Sequence, residues 1–98
     1  SGDSPLLIAC KKQNKNMVEC LIRHNSNVNK VFCNGYTPLI ISCKKQNEDI
    51  IKCLISNGAE LNKSGEFQNT PLIVACIKNN ENIIEYLVNE NADVNKEN

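Results

Sequence analysis

The chain repeats itself at a spacing of 33 residues, and that period leaves it little freedom in what it can fold into. Ser4-Pro5-Leu6-Leu7-Ile8-Ala9-Cys10 returns as Thr37-Pro38-Leu39-Ile40-Ile41-Ser42-Cys43 and again as Thr70-Pro71-Leu72-Ile73-Val74-Ala75-Cys76. Val18-Glu19-Cys20-Leu21-Ile22 recurs in step as Ile51-Lys52-Cys53-Leu54-Ile55 and Ile84-Glu85-Tyr86-Leu87-Val88. A recurrence of this size predicts a solenoid, in which each unit buries its apolar face only against its neighbours. The units run over about 2–34, 35–67 and 68–98, within one domain spanning 1–98. Three is close to the smallest number that makes such a stack stable. A stack chiefly offers surface, so a binding role is the first expectation.

Each unit reads as two short helices and an extended finger. Ser4, Thr37 or Thr70 stands at the N-cap, where its hydroxyl accepts a bond from an orphan amide, and proline follows where its missing N–H costs nothing. The apolar run ends at Lys12-Gln13-Asn14, Lys45-Gln46-Asn47 and Lys78-Asn79-Asn80. A second helix then carries apolar residues at helical spacing: Met17, Val18, Leu21 and Ile22, with their counterparts in the later units. It stops at Asn25, Gly58 and Asn91, residue types that tolerate the left-handed conformation. Val28, Leu61 and Val94 are expected to tuck back, and 29–36 and 62–69 to form the turns between units.

Eleven basic residues balance eleven acidic ones, which gives no global attraction to nucleic acid or to an anionic membrane. The balance conceals a gradient. Lys11, Lys12, Lys15, Arg23 and Lys30 outnumber Asp3 and Glu19 in residues 1–33, whereas acidic residues outnumber Lys78 and Lys96 in residues 67–98. Such a dipole steers a charged partner or favours head-to-tail contact. Six cysteines would suggest disulfides in a secreted chain. Yet Cys10, Cys43 and Cys76 are one position of the repeat, and Cys20 and Cys53 another. Equivalent positions on stacked helices lie about 8–10 Å apart, beyond the ~7 Å reach of a disulfide. These five are expected to be buried thiols, with only Cys33 exposed, which predicts a reducing, intracellular setting, cytoplasmic or nuclear. No run approaches the roughly 18 apolar residues of a membrane span.

At this point the pattern resembles the ankyrin repeat family, whose unit runs G-x-T-P-L-H-x-A-A, an I-V-x-x-L-L helix, then G-A-D-V-N. Gly35-Tyr36-Thr37-Pro38-Leu39 matches the first motif; Gly58-Ala59-Glu60-Leu61-Asn62 and Asn91-Ala92-Asp93-Val94-Asn95 match the last. The resemblance implies an all-α solenoid of three stacked helix-turn-helix repeats joined by hairpin-like fingers. It also implies a non-catalytic protein-interaction module. The departures are specific. Leu7, Ile40 and Ile73 replace the motif histidine, so an apolar contact must tie adjacent units. Gln13, Gln46 and Asn79 replace the glycine after the first helix, predicting strained or reshaped turns. Phe32 and Gly65 replace the turn aspartate and Gln68 a turn glycine, predicting less regular fingers, with Phe32 packed inward.

In the family, partners meet the concave side, built from the fingers and the first helices. Carried over by position, the candidate partner-binding residues are Asp3, Lys11 and Lys12; Val31, Cys33, Asn34, Tyr36, Lys44 and Lys45; and Ser64, Glu66, Phe67, Asn69, Ile77 and Lys78. The lysines form a basic stripe, and Tyr36 and Phe67 supply aromatic anchors, a combination suited to an acidic peptide or protein face. The resemblance further marks Asn29, Asn62 and Asn95 as candidate hydroxylation positions, each with a leucine eight residues earlier.

Other chemistry finds no support. Cys20 and His24 share a helix face, but a metal site needs three or four ligands and no others converge. No glycine loop cradles a phosphate, and no third group orients a Cys–His pair. The expectation is therefore no enzyme, no cofactor and no metal. The competing reading is an architectural spacer within a longer array. Its basis is that Leu6, Leu7 and Ile8 at one end and Ile83, Ile84, Leu87 and Val88 at the other are as apolar as their internal counterparts. Uncapped ends of that kind also leave room for self-association.

Overall fold

The computed structural model describes residues 4–32, 35–65 and 68–90. Six helices follow one another as three pairs: α1 Pro5–Lys11 and α2 Lys15–Arg23, α3 Pro38–Lys45 and α4 Glu48–Ser56, α5 Pro71–Ile77 and α6 Glu81–Asn89. No strand occurs among the described residues. The result is an all-α solenoid.

Local chemistry sets every helix start. The hydroxyls of Ser4, Thr37 and Thr70 each accept a 3.2 Å bond from the backbone N–H three residues on. The second helices start on a signal that sequence reading passed over: Asn14, Asn47 and Asn80 are their N-caps, each side-chain oxygen accepting a 3.1 Å bond from Met17, Ile50 or Ile83 N–H. The connection between the helices of a pair passes through one left-handed residue, Gln13, Gln46 or Asn79, with φ of 57°, 59° and 59°. The turns thus keep one shape without glycine. Of the two expected outcomes, strain rather than reshaping holds, at a cost on the order of 1 kcal/mol per residue.

Packing follows the repeat. The first helix of each pair packs on its own second helix and on the first helix of the next pair: α1 on α2 and α3, α3 on α4 and α5. The second helices meet far less closely, so the stack bends with its first helices inward. α3 lies between two first helices, and Pro38 through Cys43 are all buried. Val18, Leu39, Ile50, Ile51, Leu54, Ile83 and Leu87 fill the core, with Val28 tucked back against it and Leu61 half-buried at its edge. Leu7 and Ile40, at the histidine position, are buried apolar contacts, and Phe32 packs against the core as expected.

The cysteines need correction. Cys10 and Cys43 are free thiols with no exposed surface. Burial lifts the Cys10 thiol from 9.0 to about 11, partly offset by a hydrogen bond to Ser42. It lifts Cys43 to about 12. Cys76 and Cys20, expected to be buried, are free but exposed, and Cys53 is half-buried. The reason is directional. Cys10 and Cys43 sit on first helices that the following first helix covers, and among the described residues no further first helix follows α5. Cys53 looks back at Lys15 and Glu19 of the preceding unit, and among the described residues no second helix of an earlier unit precedes its counterpart Cys20.

Candidate protein-binding surface

Among the described residues, two backbone bonds shape each finger. Phe32 N–H donates to the Tyr36 carbonyl at 2.8 Å and Gly35 N–H to the Phe32 carbonyl at 2.9 Å. In the second finger Gly65 N–H donates to the Asn69 carbonyl at 2.7 Å and Gln68 N–H to the Gly65 carbonyl at 3.0 Å. Gly35 and Gln68 take the same left-handed conformation, at φ of 78° and 63°. Within the described residues the two fingers share one shape, because Gln68 accepts the conformation that glycine adopts freely. Gly65 is required for another reason. A Cβ there would lie 2.7 Å from Ile40 Cδ1 and 3.0 Å from the Gly35 carbonyl oxygen. The finger closes directly over the apolar residue that replaced the histidine.

This closure delivers Tyr36 and Asn69 to the mouths of α3 and α5. Between those helices lies a cleft of about 220 Å³. Tyr36, Lys44, Asn69, Ile77 and Lys78 of the candidate residues line it, together with Ile40 and Val74, which belong to the repeated apolar run. Tyr36 and Lys44 are half-buried and bonded to each other: the Lys44 ammonium donates to the Tyr36 hydroxyl at 2.6 Å. Its nitrogen also lies 4.6 Å from the ring centroid. An ammonium that close to the phenol oxygen sits at the hydroxyl end of the ring, so the hydrogen bond defines the contact rather than the π face. Ile77 is 65% exposed, the most exposed of the large apolar residues among those described. Lys11 and Lys44 hold its place in the earlier units.

Five further described candidates do not line the cleft. Lys11, Lys12, Val31 and Lys45 are exposed and Ser64 is half-buried. Asp3, Cys33, Asn34, Glu66, Phe67 and Asn95 lie outside the described residues. Asn29 is held at both ends of its amide: Nδ2 donates to the Gly58 carbonyl at 2.9 Å, and Oδ1 accepts from Glu60 N–H at 2.7 Å. It staples the end of one unit to the end of the next, a structural task at a candidate hydroxylation position.

A larger opening, about 610 Å³, lies between the second helices α2 and α4. Cys53 lines it, and so does Tyr86 of α6. At the equivalent place between α4 and α6 stands Tyr86, whose ring has Lys52 Nζ 5.5 Å from its centroid. The walls mix Lys15, Arg23 and Lys52 with Glu19 and Asp49, so this opening presents no consistent charge. No helix among the described residues is long and apolar enough to cross a membrane.

Comparison with known proteins agrees with this architecture. A family model described as ankyrin repeats, in three copies, matches residues 1–65 and 34–98. A search of the curated proteins found no match.

Proposed function

Since the chain belongs to the ankyrin repeat family, whose members serve generally as protein–protein interaction modules, we infer that it binds an acidic peptide or protein face on the inner side of its bend. The observation that carries this reading is the cleft between α3 and α5. It gathers a finger tyrosine, a finger asparagine, an exposed isoleucine and two lysines from separate units. Aromatic and apolar groups beside cationic side chains are the composition from which interface anchors are made, and the lysines steer an acidic partner into place. The opening between α2 and α4 is larger, but its opposed charges cancel that steering. The test is nuclear magnetic resonance mapping with a peptide selected on this protein from a random library. Shifts at Tyr36, Lys44, Asn69 and Lys78 are the expected result. Shifts confined to Lys15, Arg23 and Lys52 would place binding on the other side.

A further inference from the structure

We propose that the cleft between α3 and α5 is a socket for a single apolar side chain, carried by an acidic segment of the partner. The proposal rests on the inner-face reading and specifies its chemistry. Three observations carry it.

The first is size. At about 220 Å³ the cleft falls below the roughly 300–1,000 Å³ of sites that enclose a small molecule. A volume of that scale takes one large side chain rather than a whole ligand.

The second is its lining. Ile40 and Val74 are buried, and Ile77 stands open above them. A mostly exposed isoleucine holds apolar surface in water at roughly 25 cal/mol per Å², and covering it is what an incoming apolar group does. The lysine stripe is broken at this one place, since Lys11 and Lys44 occupy the position in the other units. The socket thus belongs to the junction of the second and third units alone.

The third is charge. Lys44 and Lys78 flank the apolar patch, and among the described residues no carboxylate lines the cleft. A carboxylate one or two residues from the inserted side chain meets complementary charge, whereas a basic neighbour meets repulsion. Tyr36, with its hydroxyl tied to Lys44, forms a wall of fixed orientation.

The probe is a phage-displayed random peptide library selected on the intact chain. The best peptide is then synthesised and measured against wild type, Ile77→Gln, Tyr36→Ala and Lys45→Glu. Ile77→Gln removes apolar surface without adding charge at an exposed position, and its melting curve checks the fold. The expected result is enrichment of an apolar residue within two positions of Asp or Glu, with binding weakened at least tenfold by Ile77→Gln and by alanine in place of the peptide's apolar residue. Peptides sensitive to Tyr36→Ala or Lys45→Glu but indifferent to Ile77→Gln would overturn the socket and leave the inner-face reading standing. Peptides indifferent to all three variants would overturn both. A library that yields no enriched peptide counts against the socket.

Discussion

The Lys44 ammonium donates a 2.6 Å hydrogen bond to the Tyr36 hydroxyl, joining the start of α3 to its last turn along the inner face. Sequence reading treats Tyr36 as an anchor and Lys44 as a separate charge. The bond makes them one unit, so their substitutions should not be additive. Tyr36→Phe keeps the ring and removes the acceptor; Lys44→Met keeps the stem and removes the donor. A double-mutant cycle by chemical denaturation should return a coupling of about 0.5–1 kcal/mol, because the pair is only half-buried. For a selected acidic peptide, Tyr36→Ala should chiefly raise the off-rate. Lys44→Glu with Lys45→Glu should chiefly lower the on-rate and flatten its salt dependence. Additive energies in the cycle would mean the bond is not held in solution.

Leu54 and Leu87 occupy one place in successive units, and neither has exposed surface. An uncapped last unit predicts a smaller loss at Leu87. The structure instead turns Leu87 into the core of its own pair, so both truncations should be costly. Leu54→Ala and Leu87→Ala are each expected to lose about 2–5 kcal/mol, the range for emptying an enclosed leucine site. Denaturant titration compares them directly, and a loss below about 1 kcal/mol at Leu87 would show that its surroundings collapse into the gap.

Most of the fold is legible in the sequence because the repeat states each local rule three times. Hydroxyl cap, proline, apolar run and breaker agree with one another at every unit, and agreement between levels is what makes a chain specify one structure. The thiols at Cys20 and Cys76 are misread for the same reason. Repetition makes positions look equivalent, while burial depends on which side a neighbour stands. The second-helix caps at Asn14, Asn47 and Asn80 were legible in principle, since asparagine before a helical period is a start signal. In a chain with seventeen asparagines that signal does not stand out. The cleft is legible only in part. Tyr36, Lys44 and Lys78 follow from position, but Ile40 and Val74 as its floor follow from the separation of α3 and α5, which no single unit encodes.

Gly65 and Gly58 give a paired test of two different needs for glycine. Gly58 has φ of +93° and nothing within 4 Å of a Cβ placed there, so Gly58→Ala meets only backbone strain, about 1–2 kcal/mol. At Gly65 a Cβ would press on Ile40 Cδ1 and on the Gly35 carbonyl oxygen. The isoleucine tip can turn aside, but the carbonyl belongs to the neighbouring finger. Gly65→Ala should therefore cost about 1–3 kcal/mol as overpacking, and Ile40→Val should recover part of it while leaving the Gly58→Ala loss unchanged. Melting curves of the three single variants and the two combinations decide the matter.

The buried thiols tie stability to pH. Cys10 and Cys43 have folded values near 11 and 12 against 9.0 when exposed. Below about pH 9 both states hold the proton and the cysteines add no pH dependence. Above it the unfolded chain loses protons that the folded chain retains, so stability falls as pH rises toward 11. Each thiol contributes a loss of about 1.4 kcal/mol per unit within that window. The stabilisation that Cys43 provides over alanine should therefore shrink by about 1 kcal/mol between pH ~8 and pH ~10, measured by urea unfolding of wild type and Cys43→Ala. Reactivity should follow the same division. Near neutral pH, an alkylating reagent followed by peptide mapping should mark Cys20 and Cys76 first and Cys53 more slowly. Cys10 and Cys43 should react only as the whole stack opens. Labelling of Cys43 as fast as Cys76 would contradict the packing of α5 on α3.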